Sequence, residues 1–233
     1  MIDKLKDAFS FLAAYPPWVI ACSVVLVAGT IALLAVFHPK SPRAASPSVV
    51  VRADATHAIL VVTAGELQTR LSDFETIRKA WRGPVTAIPH AKKQDLIDAL
   101  KQKYSIIHLE VEVRGDSVLF DDGPISGEQL TDLFRINSKD VQLVVLSACQ
   151  SFQIGKALEH SGVAASLVAT SNLAVDVASE FYRVLYSELG RGVPLRDAFE
   201  RAKIETATRY NVVFASVFYL SEYGVTPVTF EKS

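Results

Sequence analysis

Apolar residues are distributed unevenly along the chain, and the longest apolar run lies near its amino terminus. Residues 8–39 contain no Asp, Glu, Lys or Arg. As an α-helix, the stretch 18–37 (WVIACSVVLVAGTIALLAVF) would measure about 30 Å, the thickness of the hydrocarbon core of a bilayer. The apolar core of a signal peptide is shorter, about 7 to 15 residues, and is followed by a small-residue cleavage site. We therefore predict an uncleaved transmembrane helix over residues 16–38, with the lipid bilayer as a partner.

Less hydrophobic sequence flanks the predicted helix on both sides. Apolar residues recur at helical spacing in residues 1–15, which predicts an amphipathic segment lying along the membrane interface. Residues 39–55 are rich in Pro, Ser and Ala and show no period, so they are expected to form an extended linker. The remainder, residues 56–233, is expected to form one folded domain.

Basic residues near the predicted helix indicate its orientation. Lys4 and Lys6 precede it, while Lys40, Arg43 and Arg52 follow it. Because basic residues are retained on the cytoplasmic side, this small excess predicts a single-pass protein whose carboxyl-terminal domain is cytoplasmic.

Beyond the linker, apolar runs typical of strands alternate with stretches of helical period. Strands are predicted at 58–63, 85–88, 106–113, 118–120, 141–146, 166–170 and 216–220. Helices are predicted at 66–82, 91–103 and 126–134, after Cys149, and twice more before the last strand, with Gly190 ending one and Pro194 beginning the other. Such alternation predicts an α/β fold with a doubly wound, mostly parallel sheet flanked by helices.

Composition excludes several classes of function. The chain has 24 Lys and Arg against 25 Asp and Glu, so it lacks the basic excess typical of nucleic-acid binding. Cys22 lies in the apolar run, so Cys149 is the single thiol of the domain, as in a reducing compartment. We find no His, Cys, Asp or Glu cluster with metal-ligand spacing and no glycine-rich phosphate loop, and we therefore expect neither metal nor cofactor.

Two residues with reactive side chains follow neighbouring predicted strands. Glu112 comes near the end of the predicted strand 106–113, and Cys149 follows the predicted strand 141–146. Sites in open α/β sheets gather beyond the carboxyl ends of the strands. Any chemistry is therefore expected between these two residues.

The sequence around Cys149 resembles a known family. Residues 144–149 read Val-Val-Leu-Ser-Ala-Cys, residues 160–170 resemble the Gly-Ala strand of that family, and Phe181-Tyr182 with the helix after Pro194 fit its later segments. The family is CHAT, caspase-like peptidases of the same clan as caspases and separase. The resemblance covers about two thirds of the chain. It implies a caspase-like fold, with Cys149 as the candidate nucleophile.

The family's histidine motif, His-x-x-x-His-Gly, is altered in this chain. His108 matches the first histidine, but Glu112 stands at the position of the catalytic one, and Val113 replaces the glycine. A carboxylate raises the pKa of a neighbouring thiol and so disfavours the nucleophile. His108, about 13 Å further back along its strand, is interpreted as a hydrogen-bonded core residue.

Cys149 and Glu112 can also have purely structural roles, and two further histidines could act as a base. A free cysteine at a strand end is often a small buried apolar residue, and Glu112 would then be a solvated or ion-paired carboxylate. His90 and His160 are the other possible bases, but nothing in their spacing favours them.

Three hypotheses follow. The first is a membrane-anchored pseudoprotease that binds a protein or peptide in the former substrate cleft or forms homo-oligomers. The second is an active, membrane-tethered cysteine peptidase using Cys149. The third is a membrane-disrupting effector whose anchor helices assemble through Ala28 and Ala32. CHAT-like domains resemble components of bacterial defence and cell-suicide systems, which implies antiviral defence at a bacterial inner membrane.

Overall fold

The computed structural model describes four stretches of the chain: residues 58–65, 72–172, 174–211 and 218–223. All four belong to one compact unit, Ser46–Ser233. The predicted amphipathic segment, transmembrane helix and linker lie outside the described residues. Within the four stretches, no helix combines the length and the apolar character needed to cross a bilayer.

Strands and helices alternate along the described residues as the sequence predicts. The strands are β1 (Ile59–Thr63), β2 (Val85–Ile88), β3 (Ile106–Glu110), β4 (Glu112–Arg114), β5 (Ser117–Phe120), β6 (Gly123–Ser126), β7 (Leu143–Ser147), β8 (Ala165–Ala169) and β9 (Phe218–Glu222). The helices are α1 (Ser72–Ala80), α2 (Lys93–Leu100), α3 (Gly127–Asn137), α4 (Phe152–Ala157), α5 (Val175–Leu189) and α6 (Leu195–Tyr210). A short 3₁₀ turn, Leu158–His160, joins α4 to β8.

Six strands form the main sheet, in the order β2-β1-β3-β7-β8-β9. β2, β1, β3, β7 and β8 are parallel, whereas β9 runs antiparallel to β8. The mostly parallel sheet is therefore confirmed. Glu110 of β3 is level with Thr63 of β1 and with Ser147 of β7, so these three strands end together at one edge of the sheet. We call this the carboxyl edge and the opposite one the amino edge.

Helices cover both faces of the main sheet. Alternate side chains point to opposite faces, so Ile59 and Val61 pack with α1, α5 and α6, while Leu60 and Val62 pack with α2, α3 and α4. Because neither face meets water, the strands can be apolar at every position. This explains the continuous apolar run 143–146 in β7.

The predicted strand 106–113 is two strands in two different sheets. β3 ends at Glu110, where its neighbours β1 and β7 also end. Beyond that point the chain finds new partners, because Glu112 of β4 pairs with Leu119 of β5 in a separate three-stranded antiparallel sheet, β4-β5-β6. The prediction of a single strand is wrong here, since apolar sequence alone does not show where neighbouring strands stop.

Helix boundaries follow local capping chemistry. Ser126 accepts a hydrogen bond from the Gln129 amide (3.1 Å), and the Gln129 side chain accepts one from the Ser126 amide (3.0 Å), which forms the predicted start of α3. Pro194 begins α6 and Gly190 ends α5, also as predicted. The helix predicted over 91–103 is shorter, Lys93–Leu100, and its start is set by Asp95, whose side chain accepts a hydrogen bond from the Lys92 amide at 2.8 Å.

Candidate functional site

Cys149 lies at the carboxyl edge, two residues beyond the end of β7, and it is exposed and free. In the turn after it, Gln150 adopts a positive φ of 56° and the next residue, Ser151, is buried. The Ser151 amide donates to the carbonyl of Ala169 at 2.9 Å, and the Ala169 amide donates to the Ser151 hydroxyl at 3.1 Å. β8 thus supports the cysteine turn. The interpretation of Cys149 as a small buried residue is wrong.

A narrow cavity of about 40 Å³ opens beside Cys149. It is large enough for only a few water molecules in this conformation. Two carboxyl groups line it, those of Asp73 from α1 and Glu110 from β3, together with the hydroxyl groups of Ser147 and Tyr182. No imidazole is among the described residues that line it.

His108 is fully buried below this cavity. Its Nε2 lies 3.2 Å from a carboxylate oxygen of Asp73, and its Nδ1 lies 2.9 Å from the hydroxyl of Tyr186. A carboxylate only accepts, so Nε2 carries the proton and Nδ1 accepts from Tyr186. The same Asp73 oxygen accepts a hydrogen bond from the Ser147 hydroxyl at 2.8 Å. His108 is therefore the hydrogen-bonded core residue that the sequence predicts.

Two tyrosines of α5 complete the buried network. The ring of Tyr182 meets His108 edge-on, with centroids 4.8 Å apart. Burial raises the pKa of Tyr182, and the neighbouring charge of Asp73 raises it further. Burial likewise raises the pKa of Tyr186 well above its usual value. Both hydroxyl groups therefore stay protonated and remain donors across the physiological pH range.

The structure brings a different glutamate to the cavity from the one that the sequence singled out. Glu112 belongs to β4, pairs with Arg114 at 2.8 Å and does not line the cavity, which matches its interpretation as an ion-paired carboxylate. Glu110 lines the cavity instead. Because side chains alternate along a strand, Glu110 is expected on the same face as His108, and this spacing is the feature of the sequence that points to Glu110. For Asp73, which arrives from α1, the sequence carried no such signal.

The other two described histidines lie away from Cys149. His90 follows β2, the edge strand, and its Nδ1 is 3.5 Å from Asp121. β1 and β3 separate β2 from β7, a distance of about 14 Å across the sheet. His160 ends the 3₁₀ turn that leads into β8, at the amino edge. Neither of them lines the cavity beside Cys149.

A family model described as the CHAT domain matches residues 25–219. The match covers most of the 233 residues and begins inside the predicted transmembrane helix. The chain belongs to the CHAT domain family. No curated protein matches the CHAT chain by sequence.

Solved structures show how the CHAT domain is folded. One, described as "Structure of Protease", is similar with a TM-score of 0.54 and 10% identity, covering 75% of this chain and 49% of that chain. The CHAT chain thus spans about half the length of that structure. Another, "Crystal Structure of Caspase-1 from Spodoptera frugiperda", has a TM-score of 0.53 and 12% identity, covering 78% of this chain and 93% of that chain. The fold of this CHAT domain is therefore caspase-like.

Proposed function

We propose that this chain is a membrane-anchored, catalytically inactive CHAT domain that binds a polypeptide segment at the crevice beside Cys149. One observation carries the proposal: Asp73 and Glu110 line the cavity next to the thiol, and no described imidazole does. Cysteine peptidases need an imidazole, which favours the thiolate and later protonates the leaving amine. Among the described histidines, His108 is the one near the cavity, and it is buried and engaged by Asp73 and Tyr186.

The carboxyl groups oppose nucleophilic chemistry and favour binding. A neighbouring negative charge stabilises a thiol against its thiolate. The same charge attracts a cation, so we expect the bound segment to present a basic side chain to Asp73. Because the cavity of about 40 Å³ is smaller than any such side chain, the crevice must widen when the segment binds.

The anchor and the biological setting come from the sequence. The predicted helix over residues 16–38 would hold the domain at a membrane, and residues 39–55 would act as its tether. The family resemblance adds a role in bacterial defence or cell death to the proposal. In such a role the domain acts by binding or by self-association.

Alkylation of Cys149 tests the proposal without knowledge of a partner. In the full chain carrying Cys22→Ala, Cys149 is the only thiol, and Cys149→Ala supplies the blank. We expect slow reaction with iodoacetamide at pH 6 and pH 7. Glu110→Gln should increase the rate at pH 7 severalfold, because it removes a carboxyl group from the cavity wall.

Glu112→Gln is the matched control for this experiment. Its carboxylate pairs with Arg114 and does not line the cavity, so the alkylation rate should stay that of the natural sequence. Rapid alkylation of the natural thiol already at pH 6, together with cleavage of basic peptides that Cys149→Ala abolishes, would contradict the proposal. That result would establish the active peptidase instead.

A further inference from the structure

A basic depression lies between the ends of two helices, far from Cys149. It has a volume of about 310 Å³ and is lined by Lys79 and Arg82 at the end of α1 and by Arg183 and Arg191 along and beyond α5. All four side chains are exposed. None of the described residues lining it carries a carboxylate. We call these four residues the basic face.

The basic face keeps a net positive charge after its ion pairs are counted. Arg183 pairs with Glu180 at 2.7 Å, and Arg191 pairs with Glu188 at 2.6 Å. Both of these carboxylates are buried behind their arginines, whose guanidinium groups remain in contact with water.

The two cations from α1 are less compensated. Within the described part of the chain, neither Lys79 nor Arg82 forms an ion pair. The nearby Glu75 is held by Arg78 at 2.8 Å, and Lys79 contributes only a weaker attraction to it. Lys79 and Arg82 are therefore free to bind an external anion.

The basic face lies where the chain enters the domain. α1 returns from the carboxyl edge to the amino edge, and so does α5, so their ends stand beside the start of β1. The Ile59 amide donates to the carbonyl of Pro84 at 3.0 Å, and Pro84 is two residues beyond Arg82. The linker that leads from the predicted transmembrane helix therefore joins the domain next to these cations. Cys149 lies at the opposite edge of the sheet.

We infer that the basic face docks on the anionic phosphate headgroups of the membrane that anchors the chain, and that it directs the Cys149 crevice away from that membrane. The inference rests on the anchoring in the proposed function. Basic side chains next to a membrane segment are attracted to anionic lipids. The attraction falls off over about 8 Å at physiological salt, so it acts once the linker, residues 39–55, lets the basic face come close to the membrane surface.

Lysine footprinting on the full chain in lipid nanodiscs tests the docking. One set of discs contains phosphatidylcholine alone, and in the other about a third of the lipid is phosphatidylglycerol. We expect acetylation of Lys79 to fall severalfold in the anionic discs and to recover at high salt. Lys92, an exposed lysine at the carboxyl edge, should be acetylated equally in both and serves as the internal standard.

Charge-reversal variants test whether the protection of Lys79 depends on the basic face or on the overall charge of the domain. Arg82→Glu should abolish the protection of Lys79, whereas Lys92→Glu, the same change at the opposite edge, should preserve it when acetylation of Lys79 in that variant is compared directly between the two kinds of disc. Both side chains are exposed and Arg82 has no described ion pair, so neither variant should lower the unfolding temperature.

The possible negative results have different meanings. Equal acetylation of Lys79 in both kinds of disc, with the chain inserted, would overturn the docking alone. Protection by inorganic phosphate in neutral discs, without any protection by anionic lipid, would also overturn it. A chain that does not insert would contradict the anchor in the proposed function, and the docking that rests on it would be overturned as well.

Discussion

At the scale of single residues, Asp73 joins the core of the domain to the wall of the cavity. One of its carboxylate oxygens accepts from His108 at 3.2 Å and from Ser147 at 2.8 Å. Asp73 also lines the cavity beside Cys149. The Asp73 carboxylate could have oriented a catalytic imidazole, but the imidazole that it binds is buried. His108 lies on β3 level with Val145, two residues before the end of β7, and therefore inside the sheet and not at its carboxyl edge.

Removing one hydroxyl group tests this buried network. Tyr186→Phe leaves Nδ1 of His108 without its donor, and an unsatisfied buried polar atom costs about 1–3 kcal/mol of unfolding free energy. Urea unfolding of the natural chain and the variant measures the difference. Tyr104→Phe is the matched control, since its hydroxyl makes only a long hydrogen bond of 3.4 Å to Gln102. Equal stability of Tyr186→Phe and the natural chain would contradict the network.

At the scale of elements, two acidic residues on α5 fasten this helix to α6. Glu180 binds Arg183 on its own helix and Arg209 on α6, at 2.7 and 2.9 Å. Glu188 binds Arg201 of α6 at 2.6 Å and also holds Arg191. The acids are eight residues apart on α5, and Arg201 and Arg209 are eight apart on the antiparallel α6. Because the spacing of the acids on α5 equals that of the arginines on α6, ion pairs join the two helices at two positions along their length.

The pH dependence of stability reports on the first of these contacts. The hydrogen bond from Arg183 lowers the pKa of Glu180 below its ordinary value of 4.5. The folded state therefore binds this proton less readily, and the stabilisation is present above about pH 4.5 and is lost as the pH falls further. Glu180→Gln should cost about 1 kcal/mol at pH 7, and the difference should shrink towards about pH 3.

Chemical unfolding at several pH values measures this difference. Glu75→Gln is the control, because Glu75 and Arg78 form an exposed pair within one turn of α1 and its removal should have a smaller effect. A constant difference between Glu180→Gln and the natural chain from neutral to acid pH would contradict the assignment.

At the scale of the whole molecule, one sheet supports both layers of helices. α1, α5 and α6 pack on one face, and α2, α3 and α4 pack on the other. The strands contribute alternate side chains to the two cores, so neither layer can lose its packing while the other keeps an intact sheet. The two layers should therefore unfold together.

A substitution that creates a cavity in one helix layer, with a fluorescent tryptophan in the other layer, tests whether the two layers unfold together. Leu130 of α3 is fully buried in one layer, whereas Trp81 lies in the opposite one. Leu130→Ala should destabilise the domain by about 2–5 kcal/mol. In the full chain carrying Trp18→Phe, Trp81 is the only tryptophan, and its fluorescence should show the same lowered midpoint as circular dichroism. Separate midpoints would contradict the coupling.

Ile136→Ala is the matched control for this substitution. Ile136 is on the same helix, but 69% of it is exposed. Its truncation leaves no cavity in the core, so both probes should report an unchanged midpoint.

The sequence predicts the structure correctly where local chemistry decides it. The box of Ser126 and Gln129 set the start of α3, and the unbroken apolar run in β7 indicated a central parallel strand. The sequence-based prediction is wrong where neighbouring strands decide the structure. The predicted strand 106–113 divides in two because its neighbours β1 and β7 end at Thr63 and Ser147. The direction of β9 likewise depends on its pairing with β8.

The sequence by itself determined the alternation of strands and helices, the buried state of His108 and the position of Cys149 after the fourth parallel strand. These properties depend on the period of apolar residues and on strand order, which are local or nearly local. Only the tertiary structure decided that Asp73 and Glu110, and not Glu112, line the cavity beside Cys149. Asp73 and Cys149 are distant in the sequence, and only the packing of α1 against the carboxyl edge of the sheet brings their side chains together.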